Sequence, residues 1–183
     1  MNKSVSKYQE FLKSKIIQDN ATGFKVDVEN LNPMLFDWQK VLVKWALYKG
    51  RSAEFADCGL GKTPMQLDWA DQIVKKENKS ILILTPLAVS HQTVREGEKF
   101  NIECKRSSEG EIKSKIVITN YERLHYFDSK DFVGCVCDES SILKSFDGKR
   151  KMVYTQNIRN VLSRIKLWVI LTAEGCLTYG KND

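Results

Sequence analysis

An α/β fold, one parallel sheet with helices on both faces, is predicted by three features of the 183-residue sequence. Strand-length apolar runs alternate with segments of helical periodicity from residue 36 onward. The runs at 81–84 and 132–137 are apolar at consecutive positions, as strands buried on both faces require. A glycine-bearing turn, ADCGLGKT at 56–63, joins a short strand to a helix, where α/β sheets hold phosphate groups. Right-handed crossovers would bring this turn and the ends of the later strands to one carboxyl edge.

Each element has its own signal. In residues 4–18, Val5, Tyr8, Phe11, Leu12 and Ile16 fall at helical spacing and predict a short amphipathic helix. Asn32-Pro33 marks a turn. Between 36 and 49, Trp38, Val41, Leu42, Trp45 and Tyr48 form a helical stripe expected to be mostly core, and Gly50 stops the helix. Ala53, Phe55 and Ala56 make a short apolar strand. After Thr63, the residues Met65, Trp69, Ala70, Ile73 and Val74 line one helix face. Pro64 sits in its first turn, where the missing N–H is harmless. The strand at 81–84 ends at Thr85-Pro86, and a helix runs to about Phe100. A short strand is expected at 102–104, longer ones at 116–119 and 132–137, a helix over 152–165 and a last strand at 167–171. Residues 1–32 read as an N-terminal helical extension and 33–183 as the single α/β domain.

Composition narrows the class of protein. Apolar residues at 42% and charged residues at 28% are ordinary for a globular chain. A formal charge of +6 permits a polyanionic partner without demanding one. The basic residues Lys113, Lys115, Lys144, Lys149 and Arg150 would suit such a partner, or form a solvated face. No apolar run approaches a membrane span and the N-terminus lacks a signal-peptide core, so no membrane partner and a cytoplasmic location are expected. The five cysteines form no CxxC pair and only two histidines are present, which argues against zinc and for a reducing compartment.

The chemistry concentrates in two places. Ala56, Gly61, Lys62 and Thr63 fit the spacing of a phosphate-binding loop, with alanine replacing the first glycine. Backbone N–H groups of 57–61 and the following helix N-terminus would cradle a polyphosphate. Lys62 would reach its β- and γ-phosphates, and the Thr63 hydroxyl would ligate Mg²⁺. The alternative is a glycine-rich turn that happens to end in Lys-Thr. The second place is Asp138-Glu139, at the end of an apolar strand. Asp138 would hold the Mg²⁺ shell and Glu139 would take a proton from water, the two pointing apart. Standing alone, the pair would read as an acidic strand end facing solvent. Gln39, flanked by Phe36 and Trp38, could pair with an adenine edge, although a helix-surface glutamine is the plainer reading.

Together these residues carry a resemblance that covers nearly the whole chain. The order Gln39, ADCGLGKT (56–63), ILTPLAV (83–89), ITNYERL (118–124), DESSILK (138–144) and LTA (171–173) resembles the first RecA-like domain of superfamily 2 helicases, of the Swi/Snf type and similar to DEAD-box-like phage and prophage helicases. The resemblance implies an ATP- and Mg²⁺-dependent helicase or translocase. Gln39 would read adenine, and Asp57, Cys58, Gly59, Leu60, Gly61, Lys62 and Thr63 would bind the phosphates. Thr63 and Asp138 would hold the metal, with Lys62 and Glu139 catalytic. Thr85, Pro86, Thr119, Asn120 and Tyr121 would lie along a DNA track, their hydroxyls and amides contacting phosphates with little sequence preference. Thr172 would link the two sites, although the chain continues Glu174-Gly175 where the family has Thr-Pro. The chain reads as the first lobe only, so a second RecA-like lobe with its arginine finger is an expected partner, and the chain alone is expected to hydrolyse ATP poorly. Two other readings are a non-catalytic module that binds nucleotide or nucleic acid, and a small-molecule kinase. The kinase has no reason to carry both TNYE and DESS.

Overall fold

The computed structural model describes residues 21–139 and 149–172, with backbone only for 149–155. The helix expected over 4–18, residue Lys144, and the residues after Thr172 lie outside the described residues. Among the described residues six strands form one sheet: β1 (Arg51–Phe55), β2 (Ser80–Thr85), β3 (Lys105–Arg106), β4 (Ile116–Asn120), β5 (Phe132–Asp138) and β6 (Leu167–Thr172). Every ladder is parallel, and the order across the sheet is β1-β6-β5-β2-β4-β3. Among the described residues the α-helices are α1 (Asp37–Lys49), α2 (Lys62–Glu77), α3 (Ser90–Lys99) and α4 (Lys149–Arg164). The α/β architecture with one parallel sheet is the one the sequence predicts.

The two faces of the sheet build separate apolar layers. Leu47, Met65, Trp69, Ile73, Ile81 and Ile83 belong to the layer beneath α1 and α2, and Leu82, Leu84, Cys135, Cys137 and Ile158 to the layer beneath α4. Alternate residues of β2 thus feed opposite layers, and all of β2, β4 and β5 is buried. Residues 21–32 are fastened to this body. Gly23 and Phe24 donate backbone N–H groups to Tyr48 and Leu47, while the Asn32 side chain donates to the Phe100 carbonyl at 2.7 Å.

Three expectations are corrected. The stripe Trp38, Val41, Trp45 and Tyr48 is exposed, whereas α1 buries Gln39, Val43, Ala46 and Leu47. Both sets have helical spacing. The smaller side chains face inward because α1 lies close against α2 and β1. The short strand expected at 102–104 forms at Lys105–Arg106, since Ile102 and Cys104 are taken up by the core beside α3. In β1 the polarity runs opposite to an apolar strand: Ser52 and Glu54 point inward, while Ala53 and Phe55 point outward. The register explains this. The Ala56 N–H donates to the Thr172 carbonyl at 3.0 Å, and counting back in twos from the buried Ala56 puts 54 and 52 on the inner face.

Candidate nucleotide site

The 56–63 loop leaves β1 beside the end of β6 and turns into α2. Its conformation depends on two glycines in the left-handed region, Gly59 (φ 82°) and Gly61 (φ 69°). Gly61 is the N-cap of α2, so the helix's unpaired N–H groups open at the loop. A Cβ at position 61 would lie 2.5 Å from Gln39 Nε2, so any larger residue would have to displace the amide that ties α1 to the loop. The Asp57 carboxylate accepts from the Cys58 N–H at 2.7 Å, bracing the loop's start.

Lys62 is buried. Its Nζ donates to the Ala56 and Asp57 carbonyls at 3.1 and 3.3 Å and lies 3.5 Å from Glu139 Oε1. The amine of α2 and the acid after β5 therefore meet at one point. Asp138, one residue earlier, is buried and turned to α2, where Gln66 Nε2 donates to its Oδ2 at 3.3 Å. Burial pushes the Asp138 carboxyl up to about 6, with the Gln66 hydrogen bond working the other way. Adjacent residues at a strand end thus diverge, as expected, with Asp138 toward Gln66 and Glu139 toward Lys62. Glu139 itself has φ 49°, an uncommon conformation for a residue with a side chain.

A cleft of about 940 Å³ joins these groups. Residues 58–64, Gln39, Asp138 and Glu139 line it, with Met34, Phe36 and Trp38 on one wall and Gln92, Glu96 and Lys99 of α3 on the other. Its size is that of a nucleotide-sized ligand pocket. Phe36 is 67% exposed, so an apolar ring stands open at the mouth. Gln39 is not on the surface. Its Oε1 accepts from the Phe36 N–H at 2.9 Å, and its Nε2 donates to the Leu60 carbonyl at 3.2 Å, tying α1 to the loop. One lone pair and one N–H of the amide remain for a ligand in the cleft.

The donor set suits a hard cation. Thr63 and Asp138 both line the cleft and offer it a hydroxyl and a carboxylate. Among the described residues no group of three or more His, Cys, Asp or Glu side chains converges on a metal site. A Mg²⁺ ion here would complete its shell with phosphate oxygens and water.

The residues predicted for the nucleic-acid track do sit at the carboxyl ends of β2 and β4, but not as surface donors. Thr85 and Thr119 are fully buried, and Asn120 and Tyr121 nearly so. Thr85 Oγ1 donates to the Pro86 carbonyl, and the Tyr121 hydroxyl donates to the Asp138 carbonyl at 2.6 Å. Only Pro86 is half-buried, next to exposed Leu87 and Ala88. Lys115 precedes β4 at the opposite, amino edge and donates to the Asn78 carbonyl, and Lys113 pairs with Glu111, so neither joins the track. Thr172 reaches the site through its backbone carbonyl, while its hydroxyl finds no partner among the described residues. Gln66 was not foreseen. Its position four residues after Lys62 places it one turn along the same face of α2, and that spacing was the available signal.

A parallel α/β sheet with a phosphate-type loop after its first strand and an acidic pair ending a central strand defines a RecA-like fold. Solved structures share it. The crystal structure of the UvsW helicase from bacteriophage T4 matches with a TM-score of 0.69 at 14% identity, over 93% of this chain and 70% of that one. The Sulfolobus solfataricus SWI2/SNF2 ATPase core in complex with dsDNA gives 0.58 at 22% identity, over 81% and 34%. The core domain of the same enzyme gives 0.61 at 19% identity, over 85% and 36%. The chain thus spans about a third of the Sulfolobus chains. No protein-family model and no curated protein matches it.

Proposed function

We propose that the chain is the ATP-binding lobe of a nucleic-acid-dependent ATPase of the helicase or translocase type. The observation that carries this reading is the meeting of Lys62 and Glu139 in a cleft that also holds Thr63 and Asp138. Lys62 would exchange its two loop carbonyls for β- and γ-phosphate oxygens, and the N-terminus of α2 would take the remaining charge. Mg²⁺, held by Thr63 and Asp138, would neutralise charge on the transferred phosphoryl group. Glu139, released from Lys62 by the incoming phosphate, would orient a water and accept its proton. Gln39 would read the adenine edge from within the cleft.

The fold neighbours support a nucleic-acid partner, since one is described as a helicase and another is in complex with dsDNA. We take DNA as the partner, running over Pro86 and the turn that follows Tyr121. A second RecA-like lobe would supply the arginine that completes turnover, and lobe closure would convert hydrolysis into movement. The test is calorimetry with Mg-ATP, paired with phosphate release on duplex DNA in the presence of a second lobe. Lys62→Ala is expected to weaken binding roughly 10–100-fold, the worth of a charged hydrogen bond. Glu139→Gln is expected to bind normally and lose turnover. Unchanged affinity in Lys62→Ala would refute the site. Normal binding with no DNA-stimulated release would favour a non-catalytic module instead.

A further inference from the structure

Tyr121 makes a contact that neither the phosphate loop nor the acidic pair requires. It opens the 3₁₀ turn Tyr121–Tyr126 after β4, its ring is buried, and its hydroxyl donates to the main-chain carbonyl of Asp138 at 2.6 Å. β4 and β5 are not neighbours, because β2 runs between them. The side chain therefore reaches past the end of β2 to hold the end of β5.

The oxygen it holds belongs to the peptide plane joining Asp138 to Glu139. The orientation of that plane sets the direction in which Glu139 leaves the strand. Glu139 takes the left-handed conformation there, and its carboxylate reaches to 3.5 Å from Lys62. Such a conformation persists only where surrounding contacts over-determine it, and the tyrosine hydroxyl supplies one. The outer side of the same turn is open: Tyr126 is exposed, with the Arg123 guanidinium over its ring. One short turn thus has a surface face with an aromatic and a cation, and a buried face fixed to the acidic pair.

We propose that Tyr121 is a positioning residue that sets the direction of Glu139 and reports to it whether the 121–126 turn is occupied by nucleic acid. The proposal rests on the ATPase reading of the cleft and adds the route by which a bound strand alters hydrolysis. A DNA backbone whose phosphate pairs with Arg123 beside the exposed Tyr126 shifts the turn, and the shift moves the Asp138–Glu139 peptide through a single hydrogen bond.

The test uses Tyr121→Phe in the full chain, which keeps the buried ring and removes only the hydroxyl. Mg-ATP affinity is expected to stay within about twofold of wild type. DNA-stimulated kcat, measured with a second lobe present, is expected to fall about 10–100-fold at unchanged KM, as for loss of a supporting contact behind a reacting group. The Glu139 amide resonance is expected to shift when duplex DNA is added to wild type, and not in the variant. Equal kcat in the two proteins overturns the proposal, as does a Glu139 amide that ignores DNA in wild type, a result needing neither turnover nor a folded variant. Wild type that fails to bind Mg-ATP sinks the ATPase reading itself. Wild type that binds, beside an indistinguishable Tyr121→Phe, sinks only the role of Tyr121.

Discussion

Gly59 and Gly61 share a positive φ and differ in what surrounds them. A Cβ on Gly59 would meet nothing within 4 Å, so Gly59→Ala bears only the backbone cost of a left-handed residue, about 1–2 kcal/mol. A Cβ on Gly61 would press on Gln39 Nε2, and Gln39 is buried and held at both ends. Gly61→Ala is therefore expected to cost about 2–4 kcal/mol, the larger loss of the two, because the displaced Gln39 amide adds to the backbone cost. Thermal melts on the two variants read this difference. At this scale the sequence was informative wherever the chemistry is local. Lys62, Thr63, Asp138 and Glu139 could be singled out because a loop and a strand end each announce themselves within a few residues. Gln66 carried only its spacing of four from Lys62, and the inward turn of Tyr121 carried no local signal, because their partner lies on β5 and only the sheet register brings them to it.

Elements carry costs that single side chains do not reveal. Because β1 must deliver Ala56 inward, Glu54 is carried into an apolar layer between Met65, Trp69, Val169 and Leu171. Burial pushes its carboxyl from 4.5 up to about 7. The folded state thus holds this proton more tightly than the unfolded chain, so this group's contribution to stability is fully present below about pH 4.5 and is lost as pH rises through about 7. Glu54→Gln removes the dependence. Urea unfolding at pH 8 is expected to show the variant more stable by on the order of 3 kcal/mol, with the gap closing at pH 4. An equal gap at both pH values would mean that Glu54 is not the group responsible. Strand identity was legible here and strand polarity was not, since the loop's attachment to β6 overrides the preference of Phe55 for the interior. The same holds for α1, where periodicity identified a helix but two adjacent stripes both looked apolar. Close packing against α2 selected the stripe of smaller side chains.

For the molecule as a whole, a ligand that binds only the folded state adds to its stability. Mg-ATP at about a hundred times its dissociation constant contributes about 2.7 kcal/mol. In a domain of this size that is a rise in Tm of about 5–10 °C for wild type, expected to shrink to about 1–5 °C in Lys62→Ala at the same nucleotide concentration, and a thermal-shift series in nucleotide reads it directly. The sheet's overall order is the part least visible in the chain. Alternating strands and helices imply parallel pairing, but nothing local says that among the described residues β1 lies at the edge and pairs with β6 alone. That placement has a consequence during synthesis. The residues that would grip a polyphosphate are all made by Thr63, yet the strand that fixes their starting point is not finished until Thr172. At roughly 5–20 residues per second, the nascent loop waits about 5–20 seconds for its scaffold. A ribosome halted in that interval carries every phosphate-facing side chain and no cradle to hold them.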